Sequence, residues 1–292
     1  MAVPIVIGAH PKRLEPEPIE LGVMLSRLTG APLDIVGTYW FDATPHRTAP
    51  EDYRETLEKA VRPTLERALA ASGGQAGEIH VHVKSGAAPH ALREVASEVV
   101  AGLIIVGSTH RGAIGRIALG STADHVLDDA PCPVMVAPRG FRDEDGRLER
   151  IGVAFVDTPG GRSALRAGGA IAKRTGARLI AYTVIESHAN QTDRQRAEQA
   201  IAEAIDAYAG DVKAEARVLT TGGVEGLVAQ SRELDLLVRG CASPGPVRPP
   251  LALGLPSRLA RQAACPFLIV AAGRERAMLP LFAAGERDLV TS

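Results

Sequence analysis

Leu103-Ile104-Ile105-Val106-Gly107 returns 133 positions later as Leu236-Leu237-Val238-Arg239-Gly240. A second pair keeps the same offset: Ala130-Pro131-Cys132-Pro133-Val134 returns as Ala263-Ala264-Cys265-Pro266-Phe267. Two matches at one spacing mark an internal repeat of domain size. Each member of the first pair is a short Val/Ile/Leu run closed by glycine, which reads as a buried strand entering a turn.

Outward from these stretches the chain alternates between strand-like and helix-like segments. In the first repeat Val3–Ile7, Leu33–Tyr39, Ile79–Val83, Leu103–Val106 and Val134–Val136 read as strands. Between them Ile19–Leu28 carries an apolar stripe through Leu21, Met24, Leu25 and Leu28, and Ala87–Val100 carries one through Leu92, Val95 and Val99. Ala49–Ala71 and Ser121–Leu127 also read as helices, the stripe having the 3.6-residue period of a helix with one buried face. The second repeat has strands at Ile151–Val156, Leu179–Val184, Ala214–Val218, Leu236–Val238 and Phe267–Val270. Its helices fall at Gly160–Arg174, Asp193–Ala209, Gly223–Glu233 and Pro256–Gln262. Buried strands joined by helices imply right-handed crossovers and parallel pairing. The expected fold is α/β: two tandem open five-stranded parallel sheets with helices on both faces. The expected units are residues 1–139 and 151–273, joined by the polar linker 140–150 and followed by a tail, 274–292. In the tail, Ala277–Ala284 is apolar enough to dock on another surface, such as a sister subunit.

Composition narrows the function. The chain has 292 residues with 46% apolar and 23% charged side chains, the makeup of a packed globular protein. Its 33 basic and 34 acidic residues leave a net charge of −1, and aromatic residues are 3%. Neither a bulk electrostatic pull on nucleic acid or anionic membrane nor a set of base-stacking platforms is present. Three scattered cysteines, Cys132, Cys241 and Cys265, make no disulfide framework or thiolate metal site. The first residues have no basic stretch ahead of their apolar run, and the longest apolar runs are too short to span a bilayer. A cytoplasmic location is therefore expected.

The segment with chemical promise is Val106–Thr122, VGSTHRGAIGRIALGST. It leaves a buried strand, carries Gly107, Gly112, Gly115 and Gly120, and reaches a helix start at Ser121-Thr122. Such a loop bares backbone N–H groups, and the following helix adds unpaired donors and a partial positive charge. Ser108, Ser121 and Thr122 offer hydroxyls, and Arg111 and Arg116 offer charge. These are parts of a phosphate cradle, although neither GxxxxGK[ST] nor GxGxxG occurs. A glycine-rich crossover with Ser121 as a helix cap would leave the same residues.

The segment resembles the nucleotide motif of the universal stress proteins, Gly-x2-Gly-x9-Gly-Ser/Thr. Gly107 takes the first position and Gly120-Ser121 the last, while His110 stands where the second glycine belongs. The Ala-Pro-Cys-Pro-Val run and the closing strand also look like the family. The resemblance covers roughly residues 1–139 and 150–273. It implies the adenine-nucleotide α-hydrolase-like fold, with the last strands of the two repeats paired about a pseudo-two-fold axis. It also implies ATP, with Mg, bound in the first repeat by Gly107, Ser108, His110, Arg111, Gly112, Arg116, Gly120, Ser121 and Thr122. His10 occupies the place where the family's binders carry Asp near the adenosine. In the second repeat Asp157 and Gly240 hold the corresponding places, but Leu253 falls where the motif wants glycine and Gly254-Leu255 replaces Gly-Ser. Pro244, Pro246, Pro249 and Pro250 also remove backbone donors there. That repeat reads as mainly structural, with Ser257 and Arg258 as its remaining anion contacts.

The implied function is a stress-response binding protein that acts on an unknown protein partner, with ATP hydrolysis at most slow. Homodimerisation is compatible with it. A nucleotide-independent interaction scaffold and a slow adenine-nucleotide hydrolase or transferase stand as alternatives. No GxSxG elbow supports Ser108, His110 and Asp124 as a hydrolytic triad. His80-x-His82 places two imidazoles on one strand face without a third metal ligand. Cys132 and Cys265 read as buried inert thiols and Cys241 as a loop thiol.

Overall fold

In the computed structural model the described residues are 2–9, 15–39, 50–71, 76–108, 125–127, 129–143, 146–186, 188–220, 224–241 and 262–283. The first half runs β1 (Ile5–Gly8), α1 (Glu17–Thr29), β2 (Leu33–Tyr39), α2 (Pro50–Ala71), β3 (Ile79–Ser85), α3 (Ala88–Glu98), β4 (Leu103–Gly107) and β5 (Val134–Ala137). The second runs β6 (Arg150–Ala154), α4 (Pro159–Thr175), β7 (Arg178–Val184), α5 (Gln191–Tyr208), β8 (Ala214–Leu219), α6 (Val224–Gln230), β9 (Leu236–Cys241) and β10 (Phe267–Ala271). The last described helix is α7 (Glu275–Phe282). Of the expected helix Ser121–Leu127, residues 125–127 are described and helical; of Pro256–Gln262, only Gln262 is described.

The strands form one ten-stranded sheet in the order β3-β2-β1-β4-β5-β10-β9-β6-β7-β8. Each half is parallel within itself, as the buried Val/Ile runs require. The seam is antiparallel, with Phe267 opposite Val136, Leu268 opposite Met135 and Ile269 opposite Val134. The last strands of the two repeats thus pair as expected, joining the two five-stranded sheets into one. All six seam residues are buried, because β5 and β10 would otherwise each leave an apolar edge in water.

The halves superpose by ladder position. Ile5 lies between Leu33 and Leu103, and Ile151 between Leu179 and Leu236. The matching helices α1 and α4 end alike, with Gly30 and Gly176 both at φ 73 in the left-handed region that glycine enters freely. At their starts they differ. In α4, Thr158 caps the helix by accepting from the Gly161 N–H at 3.1 Å, whereas α1 begins at Pro16 without a side-chain cap.

Both faces of the sheet are covered. The face bearing Ile5, Ile7, Leu33 and Ile35 continues across the seam to Ile151, Val153 and Leu179 in one apolar cluster. Helices α1, α2, α4, α5 and α7 supply its other side, through residues such as Leu25, Leu57, Leu165, Ile205 and Met278. The opposite face packs Val6, Val36 and Ile104 against α3, and Tyr182 and Leu237 against α6. Burying this much apolar surface, at about 25 cal/mol per Å², is the main force holding the halves together.

The described part of the tail docks on its own chain. Met278, Leu281 and Phe282 of α7 are buried in the shared core. Leu281 packs where a Cβ on Gly102 would stand, 2.7 Å from its Cδ1, so α7 reaches the first half. Arg274 donates to the Pro131 carbonyl at 3.4 Å, and Arg166 of α4 pairs with buried Glu275 at 3.2 Å. The helix therefore clasps the seam.

Candidate functional site

In an open parallel sheet the crevice for a ligand lies beyond the carboxyl ends of the strands, where the strand order reverses. In the first half that point is between β1 and β4. The Ala9 N–H donates to the Val36 carbonyl at 2.9 Å and the Ser108 N–H to that of Ala137 at 3.1 Å, so the ladder extends one residue past both strands. Gly107 and Ser108 are thereby set side by side at the mouth of the crevice. His10, His110, Arg111, Gly112, Arg116, Gly120, Ser121 and Thr122 lie outside the described residues.

Two observations define this mouth. The Ser108 hydroxyl is buried and has no hydrogen-bond partner among the described residues, a state that costs roughly 1–3 kcal/mol unless a polar group satisfies it. Gly107 faces the start of α1. A Cβ there would stand 2.5 Å from Glu15 Oε2 and 3.2 Å from Pro18 Cγ. Glu15 was not legible as a site residue, because it precedes a helix far from the glycine-rich segment in sequence. Nearby, Glu17 accepts from the Gly140 N–H at 2.8 Å.

The second half fills the equivalent space differently. A Cβ on Gly240 would run into the carbonyl of Gly160, and one on Gly160 into the carbonyl of Cys241. The first turn of α4 therefore lies backbone to backbone on β9. Asp157 is solvent-facing and accepts from Arg162 Nε at 2.9 Å. Arg239 takes the repeat position of Val106, and burial holds its guanidinium below its ordinary value. Aligning the two opening stretches already exposes that exchange. Ser243, Pro244 to Pro250, Ser257 and Arg258 lie outside the described residues.

The other candidates resolve simply. His80 and His82 share one face of β3 with Asp34 of β2. His82 Nε2 lies 2.6 Å from Asp34 Oδ1 and His80 Nδ1 3.6 Å from it. Among the described residues no group of three or more His, Cys, Asp or Glu could hold a metal ion. Cys132 and Cys265 are buried, and loss of hydration pushes the Cys132 thiol up to about 12 and that of Cys265 higher. Such thiols hold no thiolate near neutrality and are poor nucleophiles. Cys241 is half-buried. Among the described residues no helix is long and apolar enough to cross a membrane.

Residues 4–138 match the universal stress protein family model. This match lies within the first half of the chain. It is 30% identical over 189 residues to a universal stress protein of Mycobacterium tuberculosis, a match covering 62% of this chain and 64% of that one. The aligned part thus spans less than two thirds of that relative's length. A universal stress protein of Methanocaldococcus jannaschii is 26% identical over 111 residues, covering 36% of this chain and 65% of its own. The crystal structure of a universal stress protein from Archaeoglobus fulgidus matches 92% of this chain and 96% of its own, at 18% identity and a TM-score of 0.64. That likeness establishes the universal stress protein fold over both halves.

Proposed function

We propose that this chain is a universal stress protein whose first half binds an adenine nucleotide, as Mg-ATP, in the crevice beyond β1 and β4. In this reading the protein works in the cytoplasm, by offering a nucleotide-dependent surface to a protein partner and not as a dedicated catalyst. The observation that carries the reading is the buried Ser108 hydroxyl, without a partner among the described residues, beside Gly107 at the point where strand order reverses. A polar ligand oxygen would satisfy it. Gly107, Gly112 and Gly120 would let phosphates approach the backbone, and Ser121 and Thr122 would donate to them. Arg111 and Arg116 would balance their charge, while His10 and His110 would hydrogen-bond ribose or phosphate. Glu15 is a hard oxygen donor suited to the magnesium that accompanies a triphosphate. Magnesium would supply charge neutralisation between that carboxylate and the phosphates.

In the second half α4 occupies the backbone of Gly240, and Asp157 is engaged by Arg162. Both facts support a structural role for it. We also propose the division into units 1–139 and 151–273 with linker 140–150, the segment from 274 serving as their clasp.

Calorimetric titration of the full chain with Mg-ATP tests the reading. The expected result is about one site per chain, with ligand raising the melting temperature by mass action. Gly120→Val should abolish binding and Ser108→Ala should weaken it about tenfold, the worth of one hydrogen bond to a charged group. Two sites would overturn the structural role of the second half. No binding at millimolar ATP would favour a nucleotide-independent scaffold. Steady ATP turnover that falls on replacing His110 would favour an enzyme.

A further inference from the structure

A second concavity lies elsewhere, at the amino ends of β6, β7 and β8, with a volume of about 760 Å³. That is the size of a small-molecule site. Its floor is apolar, formed by the buried residues Ile180, Tyr182 and Leu234. Its rim is basic: Arg147, Arg150, Arg178, Lys213 and Arg217 line it, against the carboxylates of Glu149 and Glu233. Arg217 is already paired, its Nε 2.7 Å from Glu215 Oε1. Among the described residues none of Arg147, Arg150, Arg178 and Lys213 has a carboxylate within 4 Å, although Arg178 lies near enough to Glu215 to help hold its carboxyl below the ordinary value.

The placement of these cations is costly. Arg150 is directly opposite Arg178 in the β6–β7 ladder. The Leu179 N–H bonds to the Lys213 carbonyl at 2.8 Å, which puts Lys213 next to Arg178 on the far side. Three cations thus stand side by side on neighbouring strands about 4.8 Å apart, an arrangement that opposes folding because like charges directly opposite repel. The fold does not require it. By ladder position the first half has Pro4, Pro32 and Glu78 in these places, and its equivalent backbone bond, Leu33 N–H to the Glu78 carbonyl, is 2.7 Å long. The wall carrying Arg150 is also held firmly, since Asp235 accepts from the N–H groups of Glu149 and Arg150 at 2.7 and 2.8 Å.

We propose that this groove binds a small anion bearing two or more phosphate groups, gripped by Arg150, Arg178 and Lys213. Guanidinium forks match phosphate oxygens bidentately and lysine adds a point charge. The apolar floor would take the uncharged part of such a ligand. The groove is separate from the β1–β4 crevice, and the proposal does not depend on nucleotide binding there.

The test is calorimetry of the full chain with sodium tripolyphosphate at low ionic strength. The expected result is a site whose affinity falls at least tenfold in Arg178→Ser/Lys213→Ser, while that variant melts no lower than the parent in phosphate-free buffer because it loses internal repulsion. Arg150→Gln should also weaken the site, and Gly120→Val should leave it in place. Citrate, an anion of similar size without phosphate, should bind at least tenfold more weakly. Absence of binding, equal affinity in the double variant, or loss of the site in Gly120→Val would overturn the proposal. Equal affinity for citrate would overturn its assignment to phosphate.

Discussion

At matching ladder positions the two halves of the sheet carry opposite chemistry on the same backbone. Where the first half sets His80 and His82 beside buried Asp34, the second sets Glu215 and Arg217 beside buried Ile180. Where Gly107 meets the side chains of Glu15 and Pro18, Gly240 meets the backbone of Gly160. Strand pairing and helix coverage are thus insensitive to these side chains, which are free to build different sites. The difference also shows where each half is rigid. The crevice of the first is bounded by side chains that can move, and that of the second by a helix turn that cannot.

The largest effect should come from the glycine pair. Gly240→Ala forces a Cβ into the Gly160 carbonyl and the Gly161 nitrogen, and neither can yield without shifting α4. A loss of about 3 kcal/mol is expected from overpacking of this kind. Gly107→Ala displaces only the flexible end of Glu15 and presses on Pro18, so about 1 kcal/mol or less is expected. Urea midpoints would measure both, and equal losses would erase the contrast between the two crevices.

The next effect concerns His82 and its counterpart Arg217. Removing the imidazole in His82→Ala leaves Asp34, buried beneath it, without its 2.6 Å partner. The expected cost is about 2 kcal/mol, that of an unsatisfied buried polar group. Arg217→Ala breaks a pair whose side chains are 39% and 40% exposed. Solvent screening reduces that loss to below about 1 kcal/mol. A larger loss from Arg217 than from His82 would contradict the assignment of the buried carboxylate as the more demanding feature.

The smallest effect is the pH dependence of the Glu215–Arg217 pair in the second half. The hydrogen bond from Arg217 holds the Glu215 carboxyl below its ordinary value. A depressed folded value means that the folded state binds this proton less readily than the unfolded state does. The pair's contribution is therefore complete above the unfolded carboxylate range and disappears as pH falls through the lowered folded value. The stability gap between the parent and Arg217→Ala should be widest near neutrality and close in acid. A gap that is constant from about pH 7 to pH 3 would show that the ion pair does not supply it.

Much of the sheet could be read in advance because its central strands are buried Val/Ile/Leu runs. Leu33–Tyr39 is the same span in sequence and structure, and the other strands differ by a few residues at their ends. The candidate site was less legible. Gly107 and Ser108 are marked by a glycine-rich stretch, but nothing local marks Glu15, which reaches Gly107 only because α1 packs across β4. The basic groove left no sequence signal at all. Arg150, Arg178 and Lys213 are far apart in the chain, and its net charge of −1 conceals them.

The amino-acid pattern was enough to define a repeated α/β unit, its strand and helix order, and the glycine-rich segment that follows the fourth strand of the first repeat. Those features follow from local periodicity and from which residues tolerate a tight turn, and both are written in neighbouring positions. The antiparallel register of the seam, the docking of α7 on it and the gathering of three cations at one edge were decided only on folding. Each depends on burial and charge contributed by segments that meet in space but not along the chain.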